Sequence, residues 1–507
     1  MSDPRRQTHR ATDGLPNAAA LPSRPRVVIV GAGIAGLAAA TGLAERGVAV
    51  VVAERENYLG GRVGGWTEHH DGTEVAMNRG FHAFFRQYYN LRALLRRIDP
   101  QLRMFTAVDD YPLVDGAGRL DTFRGLPQQP PWNALAFALR SPTFRLRDLV
   151  RLNARAAAPL AAVSVPEVYE ALDGIDADTF LRAINFPEAA RHLAFEVFSR
   201  SFFADPAELS AAELATMFHI YFLGSSEGLI FDVPDANYDV ALWNPLRRYL
   251  EPAGVEFRLG VEVLRIEADP VPSFRIVDTK GECLDADAVV LATDVTGLQQ
   301  IVSASPDLCD ERWRTRIQRL RTAPPFTVHR LWLDRPVAAD RPAFLGTAGH
   351  PPLDNISVLE RYEHEASTWA RERRGSVVEL HCYANGSASS AATAVRQLHA
   401  VYPETARAGV LAQRELHRAD CPLFPPGSHA DRPGISTPQP GLVLAGDGIR
   451  IDLPVALMER AATTGFSAAN HLLRQWRLAG HDLHTVPNQG RSRPLRWLAN
   501  QRRRSAT

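Results

Sequence analysis

The hydrophobic pattern changes period along the chain. Residues 27–30 form a continuous apolar run of strand length, and after the glycines Gly31, Gly33 and Gly36 an Ala-rich stretch, 34–46, reads as a helix. A second apolar run, 48–53, ends on the acidic Glu54. Strand, glycine turn, helix and strand in that order predict the βαβ start of a nucleotide-binding fold. Further on, Ala190, Leu193, Ala194, Val197, Phe198 and Phe202 recur at helical spacing over 187–203. Ser210 and Glu213 form a capping-box pattern ahead of Leu214, Met217, Phe218, Tyr221 and Phe222. Residues 255–267 read as strand, Gly260 and strand, 274–277 and 283–284 as a ribbon, and 288–291 as an apolar strand. Short β-rich runs follow at 328–333, 356–359 and 377–383. The charged stretch 360–374 reads as a solvated face and 422–440 as a proline-rich connector. The last pattern, 441–470, is a strand, a Gly446-Asp447-Gly448 turn and a helix beginning near Pro454.

The chemistry of the first motif follows from its residue types. Gly31 permits a tight turn, Gly33 lets backbone approach a pyrophosphate, and Gly36 lets the helix pack closely on the strand. Glu54 can accept hydrogen bonds from ribose hydroxyls and would repel a 2′-phosphate, which disfavours NADP. Leu59-Gly60-Gly61-Arg62, followed by Gly64-Gly65, is a second glycine-rich turn that carries a cation.

The whole chain narrows the classes. Its 507 residues, 45% hydrophobic and 22% charged, suit a globular protein of two or more domain-sized cores, and a formal net charge of zero argues against a nucleic-acid partner. Four scattered cysteines argue against a disulfide framework or a zinc site and fit a reducing cytoplasm. Residues 1–24 are polar, lack the apolar core of a secretory signal and read as a disordered leader. No transmembrane helix is expected. The segment 481–507, with Arg496-Trp497-Leu498 and Arg502-Arg503-Arg504, reads as a basic tail suited to an anionic membrane surface, which gives a peripheral location on the cytoplasmic face.

The second glycine turn resembles the motif that follows the dinucleotide fold in the flavin-containing amine oxidase and carotenoid desaturase superfamily. Gly80-Phe81-His82-Ala83-Phe84-Phe85, continuing to Tyr88-Tyr89-Asn90, is similar to plant-type phytoene desaturases. The longer string GFHAFFRQYYNLRALLRR resembles more closely the aromatising carotenoid ring synthases. The resemblance implies FAD, with Gly61 and Arg62 at its pyrophosphate, Val263 at the adenine, and Gly446 and Asp447 at ribityl or phosphate groups. The helix start at Met458 would point its dipole at the flavin N1/C2 edge. His82 and Arg79 would border the flavin ring as catalytic candidates, and Phe84, Phe85, Tyr88, Phe202, Phe203, Phe218 and Phe222 would line a carotenoid pocket.

The implied fold is α/β, a discontinuous Rossmann-type FAD domain (25–105, 245–300 and 435–480) with an inserted α+β substrate domain (106–244 and 301–434). The implied reaction turns a carotenoid β-ring into an aromatic φ-ring by desaturation with a methyl shift, with quinone or oxygen as electron acceptor. The alternatives are a carotene or phytoene desaturase without the shift, a flavin amine oxidase, and a non-catalytic lipid-binding protein resembling the prenyl-protein escort and dissociation-inhibitor family.

Overall fold

A computed structural model describes residues 3–70, 73–144, 150–190, 202–229, 231–268, 273–383, 391–490 and 496–497. Its organising element is a five-stranded parallel sheet in the order Val255–Leu259, Ala49–Glu54, Arg26–Val30, Ala288–Leu291, Leu442–Leu444. A parallel sheet is covered on both faces, which is why these strands read as near-continuous Val, Ile, Leu and Ala. Every residue of the helix Ile34–Ala44 is buried. It packs on the long helix Leu457–Gln475, where small residues set the approach: a Cβ on Gly465 would lie 2.2 Å from the Ala35 carbonyl oxygen.

A second sheet has seven strands, in the order Val410–Arg418, Phe326–Leu333, Ser376–Cys382, Asn355–Val358, Phe344–Thr347, Leu113–Val114, Leu120–Asp121. It is antiparallel except where Phe344–Thr347 runs parallel to Leu113–Val114. Phe326–Leu333 and Ser376–Cys382 are buried at every position. A third sheet joins Phe84–Phe85, Phe231–Pro234 and Phe105–Val108.

Several expectations need correction. Residues 3–24 are not a disordered leader: Gln7–His9 pairs antiparallel with Leu483–Thr485, and Leu15 exchanges backbone hydrogen bonds with Arg477 and Ala479. Polar side chains there signalled water on one side, while the backbone groups found partners from the far end of the chain. The same pairing makes 481–490 part of the fold rather than tail; 491–495 and 498–507 lie outside the described residues, as does 191–201 of the first amphipathic run. Ser210 does cap the helix Ala211–Phe218, through Ala212 N–H, but Glu213 closes no capping box. Its buried carboxylate accepts instead from Arg432 and Arg460. The stretch 360–374 is not wholly a solvated face, because Glu363 is buried beside Arg330. Nor is 422–440 only a connector, since Phe424 and Arg432 are buried in it.

Candidate active site

A cavity of about 350 Å³ runs from the glycine turns of the parallel sheet to the strand ends of the seven-stranded sheet at Phe344, Asn355 and Tyr383. The end at the glycine turns is lined by Gly31, Gly33, Glu54, Gly61, Arg62, Glu262, Val263 and Asp294, then by Gly446, Asp447 and Met458.

The glycines here differ in kind. Gly31 has φ +103° and a Cβ would sit 2.6 Å from the Ala292 oxygen, while a Cβ on Gly36 would sit 1.9 Å from the Gly31 oxygen. Both are glycine because the protein itself fills the space. At Gly33 the nearest atom to a Cβ is the Gly61 Cα, 4.0 Å away, and the position opens on the cavity. Nothing in the protein's own packing excludes a side chain at Gly33, so the bare backbone forms a cradle for something bound. Gly36 does not line the cavity; its absence of side chain holds the helix against the turn.

The charged groups fit an elongated phosphate-bearing ligand. Glu54 receives the Ala32 N–H at 2.6 Å and the Glu56 N–H at 2.9 Å, which tie the first turn to the end of the second strand. Arg62 from the second glycine turn pairs with Asp447 from the last. The two motifs, 385 residues apart, thus close on each other rather than standing separately. The helix Leu457–Gln475 starts without a side-chain cap, and Met458 in its first turn faces the cavity. Its free N–H groups and positive dipole end point where negative charge would be stabilised.

The middle of the cavity is set by residues 78–82. Gly80, at φ +95°, allows a turn that Asn78 and Tyr238 hold: Asn78 Oδ1 accepts the Gly80 N–H at 2.9 Å, and the Tyr238 hydroxyl donates to the Gly80 oxygen at 3.0 Å. His82 Nδ1 lies 2.8 Å from that same oxygen. A carbonyl only accepts, so Nδ1 carries the proton. Burial, with the charges of Arg62 and Arg79 beyond it, pushes the imidazole down to about 4, so it is neutral and its Nε2 bears the lone pair. Arg79 is buried, with Nη2 at 2.5 Å from Asp420. Burial opposes ionisation of Asp420, but the charges of Arg79 and Arg62 outweigh it and hold the carboxyl below its usual range. Arg79 Nε and Asp420 Oδ1 are buried with no hydrogen bond among the described residues, as expected of groups that face a ligand.

The far end is a wall of rings. Phe81, Phe85, Tyr88, Tyr111, Phe123, Phe203, Tyr221, Phe231, Phe344 and Tyr383 line it. Phe231 stands edge-on to Phe81, Phe85 and Tyr111 at 5.5–5.9 Å, and Phe81 lies 4.1 Å from Phe344. Of the expected pocket residues, Phe85, Tyr88 and Phe203 reach the cavity and Phe84, Phe202, Phe218 and Phe222 do not. Phe84 neighbours Phe85 in a strand, so it points to the opposite face, onto Phe105 and Tyr238. Phe202 packs on Phe424, and Phe203 takes φ +55°, a strained conformation for a bulky residue that turns its ring inward. Phe218 and Phe222 stack on each other 5.1 Å apart. The helix passes into a π turn over His219–Leu223, closed by the Gly224 N–H on the His219 oxygen, and Tyr221 rather than Phe222 faces the cavity.

Residues without a sequence motif complete the site. Asp420 lies just ahead of the expected connector 422–440, Phe231 and Phe344 are single rings in short strands, and Tyr383 continues, one residue past the strand's end, the alternation of Glu379 and His381. That alternation of polar groups in an otherwise apolar strand was the one available signal.

Comparison with known proteins agrees with this geometry. Residues 34–473 match the family described as flavin containing amine oxidoreductase. A carotenoid phi-ring synthase of Streptomyces griseus is 60% identical over 480 residues, covering 94% of this chain and 93% of that protein. Another, from Chlorobaculum tepidum, is 25% identical over 92% of this chain and 91% of its own length. Among solved structures, cyclohexylamine oxidase from Brevibacterium oxydans IH-35A has the same fold, with a TM-score of 0.65 over 90% of this chain and all of that one at 16% identity. Fold, cradle and match over most of the length agree: the chain is an FAD-dependent oxidoreductase and belongs to the flavin containing amine oxidoreductase family.

Proposed function

We propose that this enzyme converts the β-ring end group of a carotenoid into an aromatic φ-ring, by desaturation coupled to a 1,2-methyl shift. The observation that carries the reading is the continuity of one cavity from the phosphate cradle at Gly33 to a wall of aromatic rings, in a chain 60% identical to a carotenoid phi-ring synthase. When bound, FAD supplies hydride acceptance. A β-ring carries two methyls on a quaternary carbon, and aromatisation requires one of them to move. Over the whole change two hydrides and two protons leave each ring.

The protein's own task is to hold a positively charged ring out of water. Ring faces at Phe85, Phe231 and Phe344 would each stabilise a desolvated cation by roughly 0.5–2 kcal/mol. Arg79 is balanced by Asp420, so a cation beside it meets a neutral pair. His82 and Arg79 are proposed to border the reacting ring, and Gly33, Arg62, Val263, Asp447 and Met458 to hold the cofactor.

The test is product analysis. The purified holoenzyme given β-carotene should yield a compound of unchanged carbon count whose proton NMR shows ring methyls on adjacent aromatic carbons. An intact geminal dimethyl group beside new double bonds would reassign the enzyme as a desaturase without the shift.

A membrane surface as the source of substrate is part of the proposal. Among the described residues no helix is long and apolar enough to cross a membrane. Trp132, Leu135 and Leu139, however, are exposed at 44–61% on the helix Trp132–Arg140, an apolar stripe suited to lipid. Quinone or oxygen is proposed as electron acceptor.

A further inference from the structure

A ring that loses two protons needs somewhere to put them, and His82 is a poor destination. Its Nδ1–H is committed to the Gly80 carbonyl oxygen, which cannot take a proton onward, and burial keeps its basicity low. A second chain of groups starts at the cavity wall. The strand Ser376–Cys382 places Glu379 and His381 on one face, and Tyr383 continues the alternation just beyond its end. The Tyr383 hydroxyl is 2.9 Å from His381 Nδ1, and His381 Nε2 is 2.8 Å from Glu379 Oε1. Tyr383 lines the cavity; His381 and Glu379 are buried behind it.

The carboxylate at the far end of this chain sets its polarity. Arg330, directly opposite Glu379 in the neighbouring strand, donates to Glu379 Oε2 from Nε at 2.9 Å and Nη2 at 2.6 Å. Burial opposes the charge on Glu379, but Arg330 and the His381 hydrogen bond overcome it and hold the carboxyl at about 2. An ionised Glu379 can only accept, so His381 Nε2 carries a proton; in the neutral imidazole Nδ1 then has the lone pair and receives the Tyr383 hydroxyl. Arg330 is fixed in turn by the Ala76 carbonyl and Asn78 Oδ1, and Asn78 also holds the Gly80 turn. Phe203 meets the Tyr383 ring edge-to-face at 4.9 Å and 87°, which fixes the plane of the phenol.

We propose that Tyr383 is the catalytic base of the aromatisation, with His381 and Glu379 as the relay behind it. This rests on the ring-aromatising reading above. The ring C–H bond breaks and its electron pair enters the ring. A new O–H bond forms at Tyr383 as its original proton passes to His381 Nδ1, leaving the phenol neutral. The positive charge of the ring cation ends on an imidazolium beside the Glu379 carboxylate. No electrons are exchanged in this step. After each of the two oxidations the proton returns through Tyr383 to water, so the relay is empty when the second ring proton leaves. The arrangement shares its logic with a nucleophile–His–carboxylate triad, in which the buried carboxylate orients the imidazole and stabilises its charged form, but here the terminal hydroxyl handles a proton and attacks nothing.

The test compares wild type, Tyr383→Phe and Glu379→Gln as FAD-loaded enzymes, in single turnovers with β-carotene in H₂O and D₂O. Both variants should keep wild-type flavin content, while aromatic product forms at least ~100-fold more slowly, the usual scale of a lost general base. The normal solvent isotope effect of wild type should vanish in Tyr383→Phe, a readout that packing alone would not move. Aromatic product at more than about a third of the wild-type rate in Tyr383→Phe would overturn the relay, as would an unchanged isotope effect or a loss of product matched by loss of flavin. If wild type itself makes no aromatic ring, the ring-aromatising reading falls instead.

Discussion

At the dinucleotide end the cavity wall is backbone and fixed charge: Gly31, Gly33 and Gly61 present no side chains, and Arg62 and Asp447 face each other across them. At the other end the wall is ring faces, and its polar groups act from behind, through Tyr383, His381 and Glu379. The first end binds a ligand with many fixed hydrogen-bonding positions, so its shape is set by main chain. The second must hold a greasy ring whose charge changes during reaction, which ring quadrupoles tolerate and a fixed counter-ion would arrest. Two opposed requirements are thus met within one cavity by separating backbone chemistry from side-chain chemistry.

The largest effect should come from putting a side chain where only backbone is present. Gly33→Val should leave the protein folded, since a Cβ there meets no atom closer than 4.0 Å, but should abolish flavin absorbance and all turnover. Gly36→Ala should instead lower thermal stability, its Cβ falling 1.9 Å from the Gly31 oxygen. A folded, flavin-loaded Gly33→Val enzyme would erase the distinction between the two kinds of glycine. At the ring end, Phe231→Ala should reduce turnover about 2–30-fold at full FAD content, as expected if each face is worth roughly 0.5–2 kcal/mol to a bound cation. Phe84→Ala, out of reach of the cavity, should show as loss of stability, about 3–5 kcal/mol for a buried Phe.

A smaller effect should appear with pH. Burial raises Glu459, at the helix start, to about 8 and Glu363, beside Arg330, to about 7. The native state keeps these protons above pH 4.5 where the unfolded chain has lost them, so both groups make stability fall as pH rises to 7–8. His82, pushed down to about 4, works the other way between pH 4 and 6.5 and contributes no slope above that. The denaturation midpoint should therefore drop from pH 6.5 to 8, by up to about 1.4 kcal/mol per pH unit for each group still titrating. Glu459→Gln should flatten part of that slope, and an unchanged slope would remove Glu459 as its source. The smallest effect concerns the outer surface: Trp132→Ser with Leu139→Ser should weaken liposome sedimentation a few-fold without altering FAD content, each partly exposed apolar side chain adding roughly 0.5 kcal/mol.

What could be read in advance follows the same division. The strands 27–30, 48–53 and 288–291 and the glycine turns were legible because backbone recognition needs particular residues at short, fixed spacing. The ring wall was only half legible. Phe85 and Phe84 are adjacent and chemically alike, and which one faces inward depends on strand pairing with Phe231 that no local pattern contains. Tyr221 was placed on a helical face, but the π turn decides which side of the helix enters the cavity. In Ser376–Cys382 both faces are buried, so the polar phase of the alternation looks inward, whereas a one-sided reading places it in water. The leader was misread because composition reports on side chains, and its order comes from backbone pairing with Leu483–Thr485.

The parallel sheet also has a history in time. Its central strand, Arg26–Val30, emerges from the ribosome early, but one neighbour is Ala288–Leu291 and the next strand out is Leu442–Leu444. At roughly 5–20 residues per second, synthesis separates residue 54 from residue 442 by roughly 20–80 s. Throughout that interval the glycine turns exist without Asp447 or the helix that ends their cavity, so flavin capture is among the last events in making the enzyme. A nascent chain halted at residue 440 would carry the whole of the first motif and bind no cofactor.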